Sequence, residues 1–138
     1  MIGIVVATHG AMSEALLTSL EMIMGPFKCI HSVVFKEEDS IESLRDAVTK
    51  LYRLYKNDGC IFLTDIMGGS ATNICTEFLK YDNVEVVAGV SLPMLFEVVA
   101  SRESGTLRSL ADRAKEAGKR SVVNVREFME SKRAASKK

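Results

Sequence analysis

The chain has no excess charge of either sign. Lys+Arg and Asp+Glu each number 18, so the formal net charge is zero. That balance leaves no electrostatic footprint for nucleic acid, and no nucleic-acid partner is expected. No apolar run approaches the roughly 20 residues that span a bilayer, so direct membrane insertion is not expected either. The N-terminus lacks a basic region followed by a long apolar segment, which argues against a secretory signal. Cysteine is scarce: Cys29, Cys60 and Cys75 form an odd set with no CxxC pair. Disulfide scaffolds and zinc ribbons are therefore excluded, and a reducing cytoplasmic location is expected. No internal repeat, low-complexity tract or interdomain linker stands out.

What is present suits one compact domain. The 138 residues are 47% hydrophobic, enough for a real core. Strand-like and helix-like patterns alternate. Strands are predicted at Ile2–Ala7, Ile30–Phe35, Cys60–Thr64 and Val84–Val90, with a short last one at Ser121–Val125. Helices are predicted at Met12–Met24, then from a capping box at Asp39 and Glu42 to near Asn57, and at Ala71–Lys80. Another follows Pro93, one covers Thr106–Ala117, and a weakly anchored one covers Arg126–Ala135. The basic cluster Lys132, Arg133, Lys137 and Lys138 reads as a solvated terminus.

The β-α-β-α-β-α-β order predicts an α/β fold: an open, mainly parallel sheet in the order 2-1-3-4, with helices on both faces. Such a sheet has a crevice where its winding direction reverses, between strands one and three. Two polar loops would meet there. One carries His9, in Ile4-Val5-Val6-Ala7-Thr8-His9-Gly10. The other is Thr64-Asp65-Ile66-Met67-Gly68-Gly69-Ser70. A carboxylate at Asp65 can bond one imidazole nitrogen, fix the tautomer and leave the other nitrogen with a lone pair. Gly68 and Gly69 let backbone N–H groups approach a ligand, and Ser70 can cap the following helix at an anion-binding N-terminus. Nucleophile, orienting acid and anion cradle together suit phosphoryl transfer.

Other candidates read as structural. His31 lies within the second strand. Cys60 and Cys75 fit small core positions, and Met12, Met22, Met24, Met67 and Met94 read as fillers of core gaps. A phosphohistidine phosphatase would need an arginine where Thr8 stands. A sirohydrochlorin-type chelatase would need a second cleft histidine, and a receiver domain an acidic cluster after the first strand.

At these residues the chain resembles the mannose-type (mannose/fructose/sorbose superfamily) IIA component of the bacterial phosphoenolpyruvate:sugar phosphotransferase system. The matching pieces are Ile4–Gly10, Asp65–Asn73 and Val87–Leu95, with Glu21–Gly25 at the end of the first helix. The resemblance implies a IIA domain over residues 1–125, followed by a helix and basic tail over 126–138. It implies that His9 accepts a phosphoryl group from an HPr-type phosphocarrier protein and passes it to a IIB component. It implies that Asp65 orients His9, that Gly68, Gly69 and Ser70 bind the phosphoryl group, and that no metal or cofactor is needed. It also implies a homodimer that exchanges the strand Ser121–Val125. The family follows Gly-Gly-Ser with Pro-Phe-Asn, whereas this chain has Ala71-Thr72-Asn73. That difference is expected to loosen the anion site and alter the surface near His9. No fused IIB domain is expected. The alternative reading is a stand-alone regulatory module switched by phosphorylation of His9.

Overall fold

The computed structural model describes residues 1–136. Its centre is β1 (Gly3–His9) beside β3 (Cys60–Thr64), with β2 (Ile30–Phe35) and β4 (Val84–Ala88) at the edges. All pairings are parallel and the order is β2-β1-β3-β4, as the sequence pattern predicts. Alternation along β1 divides the core into two layers. Val5 and Ala7 face α2 (Ile41–Tyr55) and α3 (Ser70–Thr76), with Phe62 from β3. Ile4 and Val6 face α1 (Met12–Met24), α4 (Leu92–Ser101) and α5 (Leu107–Arg120), with Ile61 and Leu63. Because both faces are covered, the five residues of β3 are all buried.

The path reverses at the centre. The connection from β1 through α1 leads outward to β2. The connection through α2 then returns past β1 to β3 on its other side. The switch point therefore lies between β1 and β3, at their carboxyl ends. The register fixes what meets there. Ala7 pairs with Thr64, the last residue of β3, so Asp65 emerges beside Thr8 and His9.

Several local expectations change. The cap of α2 is Ser40, whose hydroxyl accepts from the Ser43 N–H at 3.0 Å. Asp39 instead accepts from the Lys36 N–H and closes the preceding turn. The third helix stops at Thr76 and continues as a 3-10 turn over Glu77–Lys80. Gly118 lies inside α5, which runs on to Arg120. Met94 is a core residue and Met24 packs partly against the core, but Met12, Met22 and Met67 are exposed. Cys60 and Cys75 are buried, and burial pushes the Cys60 thiol up to about 12. His31 is structural, as read: its Nε2 bonds the Tyr55 hydroxyl.

The last strand does not form within the chain. Residues 121–124 belong to no strand, and α6 (Val125–Ser136) follows at once. A strand needs a neighbouring edge, and no edge of its own sheet pairs with this segment. α6 buries none of its residues. Lys132 and Arg133 lie on it, exposed; Lys137 and Lys138 lie outside the described residues.

Gly3 shows how tightly the lower end of the sheet is closed. A Cβ there would stand 2.3 Å from the Tyr55 ring. Gly3→Ala is therefore expected to destabilise the fold by about 1–3 kcal/mol, the usual cost of overpacking. Urea unfolding measures this, and an unchanged midpoint would contradict the contact.

Candidate functional site

His9 and Asp65 meet as the two loops predict. The Asp65 carboxylate holds three N–H groups. Its Oδ2 accepts from the His9 backbone N–H at 2.9 Å and from the ring at Nδ1, 2.8 Å away. Its Oδ1 accepts from the Ile66 N–H at 2.9 Å. An ionised carboxylate only accepts, so Nδ1 carries a proton, and in the neutral ring Nε2 keeps its lone pair. The Asp65 side chain is 12% exposed and the His9 side chain 50%, so the acid lies beneath the ring and the ring opens to solvent. Burial alone would raise the Asp65 carboxyl. The bonds from the His9 backbone, the His9 ring and the Ile66 backbone outweigh it and hold the carboxyl below its ordinary value.

The glycine loop is built around the ring. A Cβ at Gly69 would lie 3.0 Å from His9 Cε1 and 2.9 Å from Ile66 Cγ2, so any side chain there would press on the imidazole. Gly68 has φ +87°, a left-handed turn that suits glycine. Gly69, not Ser70, is the N-cap of α3, and no side chain caps that end. Ser70 is the first helical residue. The choice follows from the backbone: Gly69 is extended, and its N–H is already bound to the Ile66 carbonyl. The first-turn N–H groups after it lack helical acceptors, so an anion can meet them.

Thr72 braces this loop from below and is 3% exposed. Its Oγ1 lies 2.7 Å from both the Ile66 carbonyl and the Thr64 hydroxyl. One hydroxyl has one proton, so Thr72 donates to the carbonyl and the Thr64 hydroxyl supplies the second bond. Asn73 Nδ2 donates to the Gly68 carbonyl at 3.2 Å. Thr72 therefore lies under the loop, where its hydroxyl ties the turn at Ile66 to the end of β3.

Sequence reasoning missed the roles of Phe35, Thr8 and Ser13. Phe35 is in register with His9 and sets its ring edgewise at 6.1 Å between centroids. The period-2 pairing of adjacent strands was the available signal. Buried Thr8 accepts from the Ser13 N–H at 2.8 Å, and the Ser13 hydroxyl donates to the Val33 carbonyl at 3.0 Å. These bonds lock the turn that carries His9 onto α1 and β2. In the two loops that carry His9 and Asp65, and at the start of α1, Met12, Ile66 and Met67 expose apolar side chains. Among the described residues, no group of three or more His, Cys, Asp or Glu side chains converges as a metal site requires.

Fold and geometry define a class: an open α/β domain that presents an acid-backed histidine at its switch point. Residues 3–115 match the family described as PTS system fructose IIA component. The chain is 29% identical over 138 aligned positions to the fructose-specific EIIA component of Bacillus subtilis, covering 99% of this chain and 94% of that one. It is 34% identical over 104 positions to the mannose-specific EIIAB component of Escherichia coli K12, covering 74% of this chain but 32% of that longer protein. Among solved structures, the phosphotransferase system component EIIA from Streptococcus agalactiae superposes with a TM-score of 0.85 at 26% identity, covering 92% of this chain and 99% of that one. The chain belongs to this IIA family and is a phosphotransferase component.

The lowered Asp65 carboxyl has a consequence for stability. A group whose folded pKa lies below its unfolded one stabilises the fold above the unfolded value and loses that contribution as pH falls through the folded value. The stability difference between wild type and Asp65→Asn should therefore be full at pH 5 and shrink below about pH 3.9, the ordinary carboxyl range. Urea unfolding across that range measures it. A difference independent of pH would show that the carboxylate charge plays no part.

Proposed function

We propose that His9 is the phosphoryl acceptor of a sugar-uptake relay, charged by an HPr-type phosphocarrier protein and discharged to a IIB component. The observation that carries this reading is the Asp65 carboxylate held against Nδ1, which leaves Nε2 as the outward nucleophile. The Nε2 lone pair attacks phosphorus in line. The bond from phosphorus to the donor breaks, and its electron pair leaves with the donor. The ring then carries a positive charge spread over both nitrogens, which the carboxylate below stabilises. The Nδ1 proton stays where it is, so the step needs no proton transfer on this chain. Transfer to the IIB component is the same displacement in reverse.

The charge added is about −1.5 to −2, and the phosphoryl oxygens lie toward Gly68, Gly69 and Ser70 and the open first turn of α3. Partner cations complete their neutralisation. Exposed Met12, Ile66 and Met67, close in sequence to His9 and Asp65, offer the partners apolar surface. A regulatory module would use the same histidine. The match along 94% of a fructose-specific EIIA component favours the carrier.

The same reading includes a homodimer in which Ser121–Val125 of one copy adds to the free edge of β4 in the other. Exposed Val122, Val123 and Val125 support it, as does the position of β4 at the edge of the sheet.

Two variants test the carrier. With phosphoenolpyruvate, enzyme I and HPr present, His9→Ala is expected to take up no acid-labile phosphate, whereas His31→Ala takes up the wild-type amount. Labelling that persists without His9 would refute the assignment. Asp65→Ala should stay folded by circular dichroism but accept phosphate about 10- to 100-fold more slowly, the scale of losing one charge-assisted orienting bond. An unchanged rate would remove Asp65 from the mechanism.

A further inference from the structure

Two groups that border the His9 ring are both tied to one residue, Ile66. Its N–H donates to Asp65 Oδ1 at 2.9 Å, on the far side of the carboxylate that bonds Nδ1. Its carbonyl accepts the Gly69 N–H at 3.1 Å, and Gly69 is where a Cβ would press on His9 Cε1. The Ile66 side chain is exposed, so little packing holds the residue in place. What holds it is the buried Thr72 hydroxyl, which donates to the same carbonyl at 2.7 Å. Asn73 also bonds the loop, but through an exposed side chain, at 3.2 Å and to Gly68. Among the described residues, Thr72 is the one buried side chain that bonds residues 66–69.

Thr72 is in turn aimed by Thr64, the fully buried last residue of β3, whose carbonyl accepts the Val90 N–H at 2.9 Å. The Thr72 proton goes to the Ile66 carbonyl, so the Thr64 hydroxyl donates into Thr72 Oγ1 across 2.7 Å. The direction of the chain is fixed: Thr64 to Thr72, Thr72 to Ile66. By strand alternation Thr64 lies on the face of Phe62, in the layer that holds Ala71 and Ile74 of α3. Valine has the shape of threonine and would fill either position without burying a hydroxyl. Replacing both members of a buried hydroxyl pair by such isosteres is nearly neutral for stability. What the pair contributes is placement.

We propose that Thr72 is a positioning residue for phosphoryl transfer: its hydroxyl, aimed by that of Thr64, pins Ile66 and through it sets both Asp65 and Gly69 against the His9 ring. The inference rests on the carrier reading above and assigns that site a buried brace. Neither threonine is open to solvent, so neither meets a phosphoryl donor or acceptor. The pair therefore acts on the rate of transfer and leaves partner affinity alone. Without the Thr72 hydroxyl, the Ile66 carbonyl keeps only the Gly69 N–H, which belongs to the same loop and moves with it. The carboxylate and the ring then lose their fixed relation to the end of β3.

Rapid-quench measurement of phosphoryl uptake from phosphorylated HPr tests the brace. Thr72→Val should lower the rate at saturating HPr about fivefold, the equivalent of one neutral hydrogen bond, and leave the half-saturating HPr concentration unchanged. Thr72→Ser keeps the hydroxyl and should transfer at the wild-type rate. Amide hydrogen exchange at His9 and Ile66, whose N–H groups both donate to Asp65, should quicken in Thr72→Val and not in Thr72→Ser. Thr72→Val should also lower the urea midpoint, because it leaves the Thr64 hydroxyl buried and unpaired. Adding Thr64→Val should recover the midpoint and leave transfer slow. A rate that recovers together with the midpoint would show that the pair serves stability alone, and would overturn the proposal. So would a Thr72→Val protein that transfers and exchanges like wild type. Wild type that takes no phosphate on His9 would remove the carrier reading and this inference together, whereas normal wild-type transfer with either of the two preceding results would remove the brace alone.

Discussion

The Asp65 carboxylate, holding three N–H groups, is the contact around which the site is arranged. Two of its bonds come from one residue, the backbone and ring of His9, so the acid fixes both where the turn lies and how the imidazole is rotated. The third, from Ile66, fixes the acid itself. A side chain tied in this way has little rotamer freedom left to lose during reaction, which is the physical meaning of preorganisation. It also places a negative charge beneath a ring that becomes cationic in the proposed transfer, where Coulomb attraction is less screened than in water.

That contact depends on the sheet. Only because the path reverses between β1 and β3 do two carboxyl ends, 56 residues apart in sequence, stand side by side. Only because β3 ends at the residue paired with Ala7 does the acid emerge level with the histidine. Glycine at position 69 then lets the second loop lie close to the ring, where a Cβ would press on His9 Cε1. Thr72 and Asn73 hold that loop from within, through bonds to Ile66 and Gly68. The rigid scaffold positions a ring that stays half-exposed.

Much of this was legible in the sequence, for identifiable reasons. The central strands are buried on both faces, so they appear as continuous apolar runs such as Cys60–Thr64, with polar residues only where the strand ends. The alternation of elements implied the switch point, and the switch point implied the pairing of His9 with Asp65. Features that depend on three-dimensional competition were not legible. Ser40 and Asp39 are both good caps, and only the turn at Lys36 decides between them. Gly69 caps α3 instead of Ser70 because of backbone direction, not side-chain chemistry. Methionine composition does not reveal exposure, and Met12, Met22 and Met67 are exposed. The strand expected over Ser121–Val125 does not form, because a strand needs an edge to pair with and no edge of the chain's own sheet takes this segment.

With Nδ1 bound to Asp65, the proposed transfer can use only one ring atom of His9, Nε2. Nitrogen–phosphorus correlation by NMR on the phosphorylated protein, with 15N in its histidine rings, reads this directly. The expected result is a single phosphorylated ring, that of His9, coupled to phosphorus through Nε2 while Nδ1 keeps its proton. Phosphorus coupled through Nδ1, or carried by any other residue, would contradict the geometry on which the carrier reading is built.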